Sequence, residues 1–259
     1  MVNLKRETGL NVVGIIPARM GSTRFPGKPL AKISGLPMIE HVRRRASLCR
    51  DLSGVIVATC DKEIEAAVKG YGGDVIMTAD IYERCTDRIA EAAARLEADI
   101  IVNIQGDEPL VTPKIITEVV KPMIENRKEM CVNLICRIDS DEEFSSPNAV
   151  KVVVDLKGYA AYFSREPIPS PKMAKGRPFD RYKQLGIMAF TKRALALFTS
   201  LEQTPLEKVE SVDMLRFIEN GYPIKTVIIK ESIYGVDTPE DLARAQALMK
   251  SDDLAKEYI

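Results

Sequence analysis

From Ile16 to Leu30 the chain reads Ile-Pro-Ala-Arg-Met-Gly-Ser-Thr-Arg-Phe-Pro-Gly-Lys-Pro-Leu, with Arg19, Arg24 and Lys28 spaced among Gly21 and Gly27. Glycines let backbone N–H groups approach an anion, and the cations neutralise it. Three cations in this space suit a triphosphate of about four charges. Pro29 breaks the Walker A pattern, and no Gly-x-Gly-x-x-Gly is present. A solvated basic loop is the plain alternative. The second stretch is Gln105-Gly106-Asp107-Glu108-Pro109. Asp107 suits Mg²⁺, which favours oxygen ligands shared with phosphates; the same residues also make an ordinary turn. The third runs from Gly235 to Leu242. There Asp237 fits a helix N-cap, with Glu240 completing a capping box. Alternatively, Asp237 is a second carboxylate that joins Asp107 around a metal.

The other reactive side chains are few. His41 is the single histidine, which limits a Ser-His-Asp triad or a multi-histidine zinc site, and it reads as a packing or surface residue. The five cysteines form no Cys-x-x-Cys pair and read as reduced thiols. Catalysis therefore falls to carboxylates, Lys and Arg with a bound cation.

These residues need a frame. Near-continuous apolar strands at Asn11–Pro17, Gly54–Thr59, Asp74–Met77 and Asp99–Gln105 alternate with helical patterns at Met38–Leu48, Asp61–Tyr71, Asp87–Leu96 and Pro113–Glu125. That alternation predicts an α/β fold with a mostly parallel, Rossmann-like sheet covered on both faces. Ligands of such sheets bind at the carboxyl ends of the strands, where the first two stretches fall. Strands follow at Met130–Ile138 and Ala149–Val154, and Gly158–Ser164 pairs as a hairpin. Pro167–Pro178 reads as a mobile loop. A strand at Lys183–Thr191, helices at Lys192–Leu201 and Glu207–Asn220, a strand at Pro223–Ile229 and a helix at Thr238–Lys250 complete the chain. No Gly/Ser linker divides it, so residues 1–259 read as a single domain with a β-rich insertion around 130–191.

Lys plus Arg and Asp plus Glu each number 37, and a net charge of zero argues against a bulk nucleic-acid binder. No apolar run approaches the roughly 18–20 residues that span a bilayer. Met1–Gly9 makes a poor secretory signal, so the expected location is the cytoplasm.

In order and content these stretches resemble the 3-deoxy-manno-octulosonate (Kdo) cytidylyltransferase family. The resemblance runs through Pro17-Ala18-Arg19, Ser22-Thr23-Arg24-Phe25-Pro26-Gly27-Lys28-Pro29-Leu30, Gly35-Leu36-Pro37-Met38-Ile39, Thr86-Asp87-Arg88 and Val102-Asn103-Ile104-Gln105-Gly106-Asp107-Glu108-Pro109. It continues through Pro147-Asn148-Ala149-Val150-Lys151, Tyr162-Phe163-Ser164-Arg165, Leu185-Gly186-Ile187, Pro205-Leu206-Glu207 and Gly235–Leu242, so it covers about Val12 to Met249. It implies a nucleotidyltransferase (GT-A type) fold, and an enzyme that joins CTP to a 2-keto-3-deoxy sugar acid, Kdo or an amino-Kdo-like analogue, with release of pyrophosphate. It also implies Mg²⁺ on Asp107 and Asp237, catalysis by Arg19, Lys28 and those two aspartates, and a homodimer formed through the β-rich region. The nucleotide would meet Pro17, Ala18, Arg19, Gly21, Ser22, Arg24, Lys28, Thr86, Asp87, Arg88, Gln105 and Asp107. The sugar would meet Gln105, Tyr162, Arg165, Gln184, Glu210 and Asp213.

The chain departs from the family pattern at four places. Arg84 and Cys85 replace Ser-Gly before Thr86, and Cys60 replaces Asp beside Asp61. Gln184-Leu185-Gly186-Ile187 replaces His-Leu-Gly-Ile. Asp213-Met214-Leu215-Arg216 replaces Glu-Gln-Leu-Arg. The changes cluster on the sugar side, which leaves two readings open: altered sugar recognition, or drift around an unchanged Kdo pocket. Activation of a different acidic sugar and a non-catalytic nucleotide-binding regulator are the other functions to weigh. A glycosyltransferase would want an Asp-x-Asp motif, which Gly106-Asp107-Glu108 does not supply.

Overall fold

The computed structural model describes residues 9–21, 24–82, 84–231 and 233–259. Strand β1 (Val12–Ala18) is buried along its whole length, and its side chains alternate between two cores. Val12 and Ile16 face helices α1 (Met38–Ser47) and α4 (Pro113–Glu125), while Val13 and Ile15 face α3 (Cys85–Ala94) and α7 (Lys192–Ser200). A strand apolar on both sides can sit only inside a covered sheet, and β1 is central. It pairs in parallel with β4 (Gly54–Thr59) and with β6 (Ile100–Asn103). Across the sheet the order is β5-β4-β1-β6-β10-β7-β11, adding β5 (Asp74–Met77), β7 (Cys131–Arg137), β10 (Tyr182–Thr191) and β11 (Lys225–Ile229). Within that row only β10 runs antiparallel to its neighbours. Helix α2 (Lys62–Gly70) covers β5.

Residues 130–191 thus supply two strands of the main sheet, β7 and β10. They also supply a hairpin of β8 (Lys151–Val154) and β9 (Ala160–Ser164) hung on β10. The hairpin turn closes because Asp155 Oδ1 accepts from the backbone N–H groups of Lys157 and Tyr159, both at 2.8 Å, and Gly158 takes φ +80°. The segment Asp141–Ser145 forms a short helix, α5, which the sequence reading left out. The Pro167–Pro178 stretch, expected as a loop, contains one more, α6 (Pro171–Ala174), whose Ser170 accepts from Met173 N at 3.3 Å.

The helix expected over Glu207–Asn220 is two helices, α8 (Pro205–Glu210) and α9 (Leu215–Glu219), separated at Ser211 with φ +52°. Arg165 is the physical reason. Its Nε and Nη2 donate to the carbonyls of Glu210 (2.8 Å) and Ser211 (3.2 Å), which a continuous helix would have used internally.

A small third core joins the hairpin of β2 (Lys32–Ile33) and β3 (Leu36–Pro37) to the closing helix α10 (Pro239–Met249). Ile33, Met38, Val236, Ala245 and Met249 meet there. His41 lies beside it, fully buried, with Nε2 2.7 Å from the Ile33 carbonyl and Nδ1 2.9 Å from the Tyr258 hydroxyl. A carbonyl can only accept, so Nε2 carries the proton and Tyr258 donates to Nδ1. Burial lowers the imidazole's pKa below its ordinary 6.5. The unfolded chain therefore takes a proton near that value while the folded chain does not, and stability falls as pH drops below it. Relative to His41→Gln, the parent is expected to lose up to about 1.4 kcal/mol of unfolding free energy per pH unit between about pH 6.5 and 5. Urea titrations of both proteins at several pH values check this, and a flat difference would contradict it. No helix among the described residues is long and apolar enough to cross a membrane.

Candidate active site

β1 ends at Pro17 and Ala18 and releases the basic loop at the carboxyl edge of the sheet. The loop is held at both ends of its turn: Met20 N donates to Asp61 Oδ2 at 2.8 Å, and Gly27 N to Met20 O at 3.0 Å. Gly27 adopts φ +74°, a conformation suited to glycine, and delivers Lys28 into a one-turn 3-10 helix, Lys28–Leu30. The neighbouring strand β6 ends at Asn103, two residues short of the expected Gln105, and leads into Gln105-Gly106-Asp107. A Cβ on Gly106 would lie 2.7 Å from Pro17 O, so only glycine lets the second stretch press against the first. The third stretch is tied to the second where Val236 N donates to Asp107 O at 2.8 Å.

All three stretches converge on one ammonium. Lys28 Nζ donates to Asp107 Oδ2 at 2.7 Å, to Asp237 Oδ1 at 3.0 Å and to the Val236 carbonyl at 3.0 Å. The other oxygen of Asp237 lies 3.1 Å from Arg24 Nη2. Burial alone would lower the Lys28 pKa, but the two carboxylates outweigh it and hold it above the ordinary value. Arg19 has no protein partner among the described residues and is free for an incoming anion.

The expected cap needs correction. Thr238, not Asp237, caps α10, and its partner at the third helical position is Asp241 rather than Glu240. Asp241 also accepts from Asp237 N at 3.1 Å. Asp237's own carboxylate is therefore released from capping and turned to Lys28 and Arg24.

These residues line a cleft of about 300 Å³ that contains Pro17, Ala18, Arg19, Gly21, Arg24, Lys28, Gln105, Asp107 and Asp237 of the expected site, together with Cys85. Ser22 lies outside the described residues. A second cleft, about 260 Å³, shares Cys85 and Gln105 with the first and is lined on its far side by Arg84, Thr86, Arg165, Gln184 and Asp213. Thr86 Oγ1 donates to Asp213 Oδ2 at 2.6 Å, and burial raises the Asp213 pKa above its ordinary value. Thr86 thus belongs to the second cleft rather than the first. Asp87 turns away to Arg216, at 3.5 Å, and Arg88 is buried against Thr78 Oγ1 at 2.5 Å. Tyr162 and Glu210 stand behind the second cleft. Glu210 accepts from Ser164 Oγ and from Arg165 N, both at 2.8 Å, and from Tyr162 at 3.4 Å.

Sequence reasoning assigned no role to the cysteines that depart from the family pattern. Cys85 stands where the two clefts meet, and the crowding there, with Asp107 and Asp213 close by, pushes its pKa up to about 11. Cys60 donates to Asp80 Oδ1 at 3.2 Å, and burial followed by that hydrogen bond raises its pKa. Both are neutral thiols at physiological pH.

Asp107 and Asp237 suit a divalent cation, because the two carboxylates are held near each other, one on either side of Lys28 Nζ, at the edge of the cleft. Among the described residues no group of three or more His, Cys, Asp or Glu converges. The remaining ligands would be phosphate oxygens and water, the arrangement Mg²⁺ favours.

A family model described as cytidylyltransferase matches residues 13–233. The 3-deoxy-manno-octulosonate cytidylyltransferase of Geotalea uraniireducens is 44% identical over 250 residues, covering 93% of this chain and 100% of its own. That of Geobacter sulfurreducens is 45% identical over 251 residues, with the same coverages. A solved structure described as CMP:2-keto-3-deoxy-manno-octonic acid synthetase complexed with CTP superimposes with a TM-score of 0.87 at 39% identity. It covers 93% of this chain and 98% of that one.

Proposed function

The chain belongs to the Kdo cytidylyltransferase family, and from that premise we propose that it joins CTP to Kdo or a close 2-keto-3-deoxy sugar acid, giving a CMP-sugar and pyrophosphate. It is a nucleotidyltransferase. The observation that carries the reading is the meeting of Lys28, Asp107 and Asp237 from three separate chain segments, beside a second polar cleft.

The anomeric hydroxyl of the sugar acid attacks the α-phosphorus of CTP. A P–O bond forms, the bond to the β-phosphate breaks, the hydroxyl proton goes to solvent, and pyrophosphate leaves with the electron pair. No residue needs to form a covalent intermediate. Lys28, kept charged by its two carboxylates, and the guanidinium groups of Arg19 and Arg24 neutralise the charge that gathers on the leaving group. Asp107 and Asp237 would hold Mg²⁺, which when bound polarises phosphoryl oxygens and lowers a coordinated hydroxyl's pKa. Gln105, shared by both clefts, sits where nucleotide and sugar must meet, so the walls supply positioning as well as charge. Asp87 and Arg88 act on the cytidine side from behind the wall in this proposal, whereas Thr86, expected there too, stands in the sugar-side cleft against Asp213. The reading extends to a cytoplasmic homodimer, and sedimentation at the monomer mass would remove the dimer.

Pyrophosphate release from CTP and Mg²⁺, with Kdo, an 8-amino-Kdo analogue and sialic-type acids as acceptors, tests the reaction. The expected result is chelator-sensitive turnover with Kdo at a kcat/KM of about 10⁴ M⁻¹s⁻¹ or more, and none without sugar. Turnover with a different sugar acid alone would keep the chemistry and replace the substrate. CTP binding without turnover on any acceptor would turn the protein into a regulator.

A further inference from the structure

The two glutamines of the sugar-side cleft have their amide nitrogens tied to the protein, in a way that fixes which end of each amide is left for a substrate. Asn133 on β7 is fully buried beneath the cleft, where the pairing register of β10 shifts between Gln184 and Met188. Its side chain contacts three main-chain carbonyls, of Leu185 at 2.9 Å, Leu134 at 3.0 Å and Ile187 at 3.3 Å. Carbonyl oxygens only accept, so the atom facing them is the NH₂ and Oδ1 faces the other way. That Oδ1 lies 2.7 Å from the Gln184 amide, so Gln184 must turn Nε2 to it. Gln184 Oε1 is left over, without a protein donor among the described residues, on a residue that lines the cleft.

Gln105 repeats the logic. Its Nε2 lies 3.2 Å from the Gly186 carbonyl and 3.2 Å from Asn103 Oδ1, and the carbonyl again settles the orientation. Gly186 permits this approach, because a Cβ there would fall 2.4 Å from Gln105 Cγ. The cleft's third acceptor, Asp213, already receives Thr86 on one oxygen.

We propose that Asn133 and the Gly186 carbonyl make the sugar-side cleft an acceptor wall, on which Gln184 Oε1, Gln105 Oε1 and Asp213 accept hydrogen bonds from hydroxyl groups of the sugar acid. The carboxylate of the substrate, which has no proton to give, faces away from this wall. The inference rests on reading this cleft as the sugar-acid subsite. It also gives the Gln at 184 a consequence: a histidine can present a donor or an acceptor, whereas a glutamine locked by Asn133 presents an acceptor only. Asn133 is a positioning residue that acts through Gln184.

Two measurements test the wall. Gln184→Met keeps the side chain's length and removes the acceptor, and it should raise the KM for the sugar acid at least about tenfold while the KM for CTP stays within about twofold. Within a panel of monodeoxy analogues, one that the parent uses poorly should lose nothing further in the variant. Asn133→Ala should shift the same KM. In the amide NMR spectrum of the parent, the Gln184 NH₂ pair, assigned by its absence from Gln184→Met, should be protected from exchange and shift little when the sugar acid is added. A rapidly exchanging or strongly shifted pair would overturn the amide polarity, even if Asn133→Ala fails to fold. An unchanged sugar KM in Gln184→Met would overturn the role of the acceptor. A parent with no turnover on any acceptor would remove the proposed reaction and the substrate half of the inference, while the exchange data on the free protein would still decide the polarity.

Discussion

Asp107→Asn and Asp237→Asn are each expected to lower turnover at least about a thousandfold, about 4 kcal/mol of transition-state stabilisation, with the fold intact. The substitution is isosteric; it removes the charge and turns one acceptor oxygen into an NH₂, which at 237 faces Arg24 when the oxygen stays on Lys28. Asp237 is not the cap of α10, because Thr238 and Asp241 close that helix between them, so the loss cannot be assigned to unravelling. Asn retains a side-chain oxygen for Lys28, and both carboxylates are partly exposed, so their ion pairs contribute about 1 kcal/mol or less to stability. What Asn cannot supply is the negative charge that holds a divalent cation against a polyanion. Melting curves beside single-turnover rates separate the two effects. Activity within about tenfold of the parent, or about 1.4 kcal/mol, would remove the metal-holding role from that aspartate.

Asp237 also shows how far the sequence could be read. Two capping boxes fit it equally in spacing, Asp237 with Glu240 and Thr238 with Asp241. Pro239 arbitrates between them: proline favours the first helical position, which makes Thr238 the cap and releases Asp237. The parallel half of the sheet was legible for a simpler reason. Strands covered on both faces are apolar on both, and Gly54–Thr59 appears in the structure with the expected bounds, as does Asp74–Met77, an edge strand with no fully buried residue. The expected helix across Glu207–Asn220 has a real periodicity but breaks in two where its carbonyls are claimed by Arg165, a residue more than forty positions away. The convergence of the three chemical stretches was legible from their order along the chain. The amide lock at Asn133 was not, since it depends on a register shift in β10 that no local pattern announces. Cys85 likewise reads as an isolated thiol until the fold sets it between the two clefts.

Truncating Arg216 to Met is expected to destabilise the protein by about 3–5 kcal/mol, the usual cost of stranding a buried charge. Arg216 is 3% exposed and Glu207 0%. The guanidinium grips both oxygens of Glu207, at 2.7 and 2.9 Å, donates to the Phe198 carbonyl at 3.2 Å and lies 4.2 Å from the centroid of the Phe198 ring. Burial would lower the Arg216 pKa, but Glu207 more than offsets it, so the guanidinium is charged in the folded protein. Removing Arg216 leaves the Glu207 carboxyl without its counter-charge and its donors in a closed interior. Removing both, as Glu207→Leu with Arg216→Met, deletes the desolvation penalty along with the attraction and should recover most of the loss. Urea denaturation of the two single variants and the double variant reads this directly. A loss below about 1 kcal/mol in Arg216→Met would mean that water reaches the pair. The position of the pair ties this energy to the reaction. It locks α8 to α9 on either side of Ser211, and the turn between them carries Asp213 to Thr86 at the second cleft. Short helices of six and five residues have little stability of their own, so the wall depends on what they pack against: Met214, Leu215 and Phe217 in the core, Arg165 on the turn, and this pair between the helices.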